Sequence, residues 1–273
     1  MTGNRYALRS VTNIAPREVF QRRYEFHLKS GGGVAHDFSP DVRNGNKLLR
    51  LLSTSEFKRL SPHLELVALE PGQLLFHRGK TEFVYFPISG IVTKLVIMLD
   101  GNKVNAGIVG NDGMVPICVL LGLRATPFEA VVQNAGKALR MSASAFVANV
   151  RSGGPLYKIL LRFAAAFMSQ VSLSAACKRL HSLRAQYCRL LLMSLDRLGT
   201  PEFILTQAAA AESLGVRRMS VAEVARQLQD EGIIEYSRGK IRIVDRARLK
   251  KLSCECYGRI REVYESFSLN DPS

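Results

Sequence analysis

Arg217 and Arg218 follow directly on Gly215-Val216 and open a helical pattern, RRMSVAEVARQLQD, which is the clearest chemical signal in the chain. An arginine guanidinium presents its N–H donors as a planar fork that matches O6 and N7 of guanine. The start of a helix adds a field that favours phosphate. Removing the positions that must face inward leaves Arg217, Arg218, Met219, Ser220, Ala222, Glu223 and Arg226 on one free face. The chemistry offered is recognition of a base-pair edge, not bond making.

Other reactive side chains are scattered. The histidines are His27, His36, His63, His77 and His181, and none has the sequence context of a ligand. The five cysteines, an odd number, do not suggest a secreted disulfide framework. Cys118, Cys177 and Cys188 lie in apolar or helical surroundings. Cys254-x-Cys256 has no second Cys/His pair close by in sequence, so all five are read as inert thiols. A cupin-type metalloenzyme would need His and Glu ligands clustered along paired strands, but the strand region offers only His63 and His77. No nucleophile–base constellation is visible. The expectation is a protein that is not an enzyme, with no metal site and no cofactor.

The elements that position the arginines form a winged helix-turn-helix. Thr206 is placed to cap a first helix, and Gly215 supplies the positive φ of a tight turn. Ala211 lets the two helices approach. Leu214, Val216, Val221, Val224 and Leu228 form the shared inward face. Ile233 and Ile234 then lead into Tyr236-Ser237-Arg238-Gly239-Lys240 and the alternation Ile241, Ile243, which reads as a hairpin. Ser237, Arg238 and Lys240 at its tip suit phosphate contacts, which orient a protein on DNA without reading sequence.

The 273 residues carry a net charge of +15, 47% hydrophobic residues and a mean hydropathy of +0.04, as expected of a folded protein with a polyanionic partner. Residues 1–44 lack periodicity and read as a flexible basic extension. Residues 45–154 hold short apolar segments at 64–69, 73–77, 83–88, 91–99, 103–109 and 128–133, separated by glycine turns, the pattern of an antiparallel β-roll or jelly roll. A helix is expected from Asn46 to Leu60. Pro155 opens a long helix to about Leu180, about 39 Å at 1.5 Å per residue, in a dimerisation segment taken as 155–181. Leu156, Leu160, Phe163, Phe167, Gln170, Ser174 and Cys177 recur along it at coiled-coil spacing. The helix is apolar on two sides, so the roll covers one and a second copy of the chain the other. The DNA-binding domain takes 182–248. A C-terminal helix and tail take 249–273, with Leu249, Leu252, Cys256, Ile260, Val263 and Phe267 at helical spacing. No run approaches the roughly 18 apolar residues of a membrane span, and no signal-peptide core opens the chain, so a cytoplasmic location without membrane contact is expected.

With that α+β order in hand, the chain resembles the Crp/Fnr superfamily of bacterial transcription regulators over about residues 46–246. The resemblance is carried by Thr206-Gln207, Leu214-Gly215-Val216-Arg217-Arg218-Met219-Ser220-Val221, Gly232-Ile233-Ile234, Glu70-Pro71-Gly72 and Gly110-Asn111-Asp112-Gly113. It implies a homodimer on a two-fold symmetric (palindromic) site in double-stranded DNA, with RNA polymerase as a further partner. Arg218 and Glu223 fall at positions that read bases. Met219 stands where many members have an acidic reader, which implies a different operator from that of the catabolite activator. Thr206, Arg217, Ser220 and the wing residues fall at phosphate-contacting positions.

The sensor half departs from the nucleotide-binding members. Their Gly-Glu pair, whose Glu holds the ribose, becomes Gly113-Met114, and their Arg-Ser pair, whose Arg neutralises the cyclic phosphate, becomes Phe128-Glu129, with Arg124 nearby. An effector pocket would involve Gly113, Met114, Arg124, Phe128 and Glu129, but a carboxylate there repels phosphate, so cyclic AMP is not the expected ligand. An N-terminal iron–sulfur cluster is not expected either, because the first cysteine is Cys118. The effector stays open. The alternative reading is a cyclic-nucleotide- or other ligand-binding regulatory module without DNA activity.

Overall fold

The computed structural model describes residues 38–101, 103–123, 125–150 and 153–269. The expected flexible extension therefore lies outside the described residues as far as residue 37. Its last part does not fit that expectation, because Pro40–Gly45 form a short helix, α1. Two helices, α2 (Lys47–Arg50) and α3 (Thr54–Leu60), replace the single helix expected over 46–60. Separate caps divide them. Asn46 Oδ1 accepts from the N–H groups of Leu48 and Leu49, while Ser53 and Glu56 form a capping box. Asn46 is wholly buried, and its amide donates to the carbonyls of Pro87 and Gly113 at 2.8 and 2.9 Å.

The β-roll comprises β1 (Glu65–Leu69), β2 (Leu74–Phe76), β3 (Gly79–Lys80), β4 (Phe83–Pro87), β5 (Ile91–Ile97), β6 (Lys103–Val109), β7 (Ala125–Thr126), β8 (Glu129–Asn134) and β9 (Gly136–Ser142). These strands pair antiparallel as β1-β9-β4, as β2-β8-β5-β6 and as the small ribbon β3-β7. Val84, Phe86 and Leu139 from one sheet and Val92, Ala130 and Val132 from the other are buried in the common core. Strand β9 is central, yet its interior, Lys137 to Met141, is built of helix formers. Pairing on both edges overrides that propensity. Helix α4 (Ala143–Val150) follows at once, with Phe146 against Phe86 at 6.4 Å between ring centroids.

Helix α5 (Pro155–Leu180) starts with proline in its first turn, where the missing N–H costs nothing. By length and composition it could cross a membrane, contrary to the sequence expectation. One side of it nevertheless packs in the chain's own core, as a core helix does. That side carries the expected dimer seam. Leu156, Leu160, Phe163, Phe167, Gln170 and Cys177 are buried by the same chain, and Ser174 is half-buried, accepting from Arg189 at 3.1 Å. A monomer already covers these positions, so they do not form an open seam. The open side presents Leu161, Ala165, Met168, Ser172 and Ala175, also at alternating steps of four and three.

Ser182 caps α6 (Leu183–Leu198). The DNA-binding half then runs β10 (Glu202–Ile204), α7 (Gln207–Leu214), α8 (Arg218–Asp230), β11 (Ile234–Ser237) and β12 (Lys240–Ile243). The C-terminal helix expected as one piece is two, α9 (Arg246–Leu252) and α10 (Cys256–Leu269), broken at Ser253–Glu255. Helix α10 lies on α5, with Tyr264 edge-on to Phe163 at 6.5 Å.

Candidate DNA-contacting surface

Thr206 Oγ1 accepts from the Ala209 N–H at 3.1 Å and so caps α7, as its position suggested. The helix ends on Gly215 at φ 69, ψ 38, with the Gly215 and Val216 N–H groups both bonded to the Ala211 carbonyl. A side chain at this backbone would strain the turn, which fixes the crossing of α7 and α8. Ala211, Leu214, Val221, Val224 and Leu228 are buried between the helices. Val216 departs from the expected inward set, since it sits in the turn and is 37% exposed.

What remains outside on α8 is the face the sequence outlined. Arg217, Arg218, Met219, Glu223 and Arg226 are exposed and Ser220 is half-buried. Met219 is 78% exposed, too open for a core methionine. Arg217 is the N-cap, with no side-chain cap bond, so the helix start keeps free N–H groups beside paired guanidinium groups. At the other end the acid Glu231 is taken by Arg184, both of whose bonds to the carboxylate measure 2.7 Å, so it does not oppose the arginines.

The wing is a two-residue hairpin. Arg238 and Gly239 have φ of 50 and 83, the positive values a tight turn between right-twisted strands requires. Ser237 pairs with Lys240 across it. Strand β10, which the sequence reading missed, completes the sheet β10-β12-β11. The wing is held to α7: the Tyr236 hydroxyl accepts from the Gln207 N–H at 3.2 Å, and the Gly239 carbonyl accepts from Leu205 at 2.9 Å. Ser237, Arg238 and Lys240 are exposed, and Lys240 is ion-paired with Glu202.

Of the expected effector positions, Gly113 and Met114 are packed into the chain's own core, while Phe128 and Glu129 are half-buried. Gly113 lies so close to Phe163 that a Cβ would meet its ring carbons at 2.5 Å, and Met114 is fully buried. The Lys94 ammonium sits 3.6 Å from the centroid of Phe128, and burial pushes its pKa down. Glu129 is 3.7 Å from His77 Nδ1. Arg124 lies outside the described residues. An open cleft of about 980 Å³ occurs elsewhere on the roll, lined by Lys80, Glu82, Leu120, Phe146 and Tyr157 among others, and none of the described effector positions lines it.

The halves meet through buried polar groups. Arg197 of α6 reaches Asp112 at 3.0 Å, Gln170 Oε1 at 2.8 Å and the Met193 carbonyl at 3.1 Å, with its guanidinium 5.3 Å from the centroid of Tyr264. Burial works against that charge, but Asp112, Tyr264 and Asp196 together outweigh it and the pKa rises. Asn105 donates to Ser213 Oγ at 3.0 Å and Asn134 to the Ile204 carbonyl at 2.8 Å.

Residues 185–252 match the family model of the Crp-like helix-turn-helix domain. Solved structures agree over 68–77% of the chain. A protein described as a Crp/Fnr-family transcriptional regulator from Eubacterium rectale is 21% identical, covers 77% of this chain and 98% of its own, and superposes with a TM-score of 0.59. FixK2 from Bradyrhizobium japonicum is 14% identical, covers 70% and 98%, and has a TM-score of 0.58. A CRP-family transcriptional regulator from Thermus thermophilus is 18% identical, covers 68% and 96%, and has a TM-score of 0.57. The chain has the Crp/Fnr fold and carries a Crp-like helix-turn-helix domain. No curated protein sequence matches it.

Sequence reasoning passed over one further group. Cys177, His181, Cys254 and Cys256 converge where α5 ends and α10 begins. The signal available was Cys177-x3-His181, one turn apart on a helix, together with the Cys-x-Cys pair. What the sequence could not show is that these two segments meet.

Proposed function

We propose that the chain is a Crp/Fnr-type transcription regulator that binds a two-fold symmetric operator as a homodimer in the cytoplasm. The observation that carries this reading is the free face of α8, where Arg217, Arg218, Met219, Glu223 and Arg226 stand exposed inside a domain matching the Crp-like model. In this reading Arg218 and Glu223 meet base edges. Arg217, Thr206, Ser220 and the wing residues Ser237, Arg238 and Lys240 hold phosphates, and Met219 and Arg226 flank the readers. The second copy packs on the open α5 stripe of Leu161, Ala165, Met168, Ser172 and Ala175, since the other side of the helix is already covered. Two recognition helices then enter major grooves about 34 Å apart. RNA polymerase is the partner through which binding acts. Cyclic AMP is not the effector, because Met114 and Glu129 offer neither of the contacts its ribose and phosphate need and Phe163 fills the space beside Gly113.

The test is selection from a random duplex pool with the full-length protein at about 150 mM salt, where non-specific phosphate binding is weakened. A symmetric motif with half-sites one helical turn apart is the expected result. Sequence-blind binding that vanishes as salt rises would overturn the operator reading.

A further inference from the structure

Where α5 ends, the ligand atoms of Cys177, His181, Cys254 and Cys256 all lie within 4.8 Å of one another. We propose that these four residues form a tetrahedral site for a zinc-class divalent cation, which ties the end of the long helix to the segment behind the wing.

The spacing is that of a single-ion site. Zinc with Zn–S near 2.3 Å and Zn–N near 2.0 Å sets its ligands at tetrahedral edges of about 3.8 Å between sulfurs and about 3.5 Å between sulfur and nitrogen. Cys177 Sγ is 3.4 Å from Cys254 Sγ, and Cys256 Sγ is 3.7 Å from His181 Nδ1. A disulfide would need about 2.05 Å, and all five cysteines are free thiols. The atoms are also too close together to surround an iron–sulfur cluster.

Ordered backbone delivers each ligand. Cys177 and His181 are one turn apart on the same face of α5, and His181 leaves the helix as its C-cap at φ −109, ψ 154. Cys254 and Cys256 come from the break between α9 and α10, where the Tyr257 N–H bonds the Cys254 carbonyl at 3.1 Å. All three sulfurs are buried in a small cluster apart from the main core.

The surroundings separate this from a chance packing of thiols. His181 Nε2 lies 3.0 Å from the Glu255 carboxylate. With the Nε2–H donating to Glu255, the lone pair of Nδ1 points at the sulfurs, the carboxylate–histidine–metal arrangement of zinc sites. Three thiolates, a neutral imidazole and a dication leave surplus negative charge. Buried Arg189, anchored on Ser174 at 3.1 Å, supplies a positive charge beside the cluster. Because the ligands come from segments 77 residues apart, binding free energy here becomes free energy of holding the end of α5 to the start of α10. The site stands whether or not the chain binds DNA.

The experiment uses full-length protein without a polyhistidine tag, purified reduced and free of chelator, with metal content measured by mass spectrometry. About one zinc per chain is expected, falling below about a tenth in C254S/C256S and unchanged in C118S. Wild-type protein stripped of metal and titrated with Co²⁺ gives a readout independent of any variant's folding. Intense visible bands of tetrahedral thiolate-bound cobalt, saturating at about one equivalent, are expected. A folded wild-type chain that takes up neither Zn²⁺ nor Co²⁺ overturns the proposal. So does equal zinc in wild type and C254S/C256S.

Discussion

Replacing Arg197 by Met keeps most of the side-chain volume and removes the charge at the point where the roll, α5, α6 and α10 meet. The Arg197 and Asp112 side chains are 5% and 10% exposed, so water cannot take over the lost contacts. Asp112 keeps the Gly110 N–H at 3.1 Å but is left as a carboxylate without its cation, and Gln170 Oε1 loses its donor. Breaking a buried pair from one side costs about 3–5 kcal/mol. Asp112→Asn is milder. It leaves Arg197 bonded to Gln170 and the Met193 carbonyl, over the face of Tyr264, so the cost falls to about 2 kcal/mol, as for one charged hydrogen bond.

Thermal and urea unfolding followed by circular dichroism measure both. At about 2–4 °C per kcal/mol for a chain near this size, R197M should lower Tm by roughly 6–20 °C and D112N by roughly 4–8 °C. In the double variant no buried carboxylate is stranded, so its loss should fall short of the summed single losses by at least about 1 kcal/mol. If R197M costs under about 1 kcal/mol, or the two losses simply add, the network is not the junction described.

Other substitutions test the remaining surfaces. Arg218→Ala should relax preference at one base pair per half-site, costing about 1–3 kcal/mol, and equal loss across all base variants in a binding titration would assign it to phosphate instead. Arg238→Ala should weaken binding to every sequence alike and reduce the salt slope by about one; a changed site preference would remove the wing from the phosphate role. Leu161→Glu with Met168→Glu should give monomers in sedimentation while leaving the far-UV spectrum unchanged, because both side chains are exposed in the single chain. A dimer as tight as wild type would move the second copy off that stripe.

The helix-turn-helix was legible because its determinants are local: a capping Thr206, the positive φ of Gly215, and apolar residues at helical spacing on either side. Six strands of the roll were legible for the same reason. What failed depended on contacts distant in sequence. Strand β9 is absent from the six segments because Lys137, Ala138, Leu139, Arg140 and Met141 carry little strand propensity until its two neighbours are known. The α5 seam was found as a pattern, but the same periodicity serves a partner helix from the same chain or from another, and here α10, the roll and α6 occupy it. The Cys-x-Cys pair looked isolated because its complement, Cys177 and His181, lies 77 residues upstream and meets it only after α10 folds back along α5.

Polar atoms also tie the roll to the DNA-binding half. The Asp112–Arg197, Asn105–Ser213 and Asn134–Ile204 contacts each link the roll to the DNA-binding half, and each requires one distance and one angle. An apolar interface would tolerate sliding at little cost, whereas a buried hydrogen bond is either made or left as an unsatisfied group. A small shift of β6 or of the Gly110–Gly113 turn therefore cannot be absorbed gradually by α6 and α7. It must break these contacts or carry the helices with it. Phe163 lies directly against Gly113, so any ligand that displaced its ring would act on the same turn that holds Asp112.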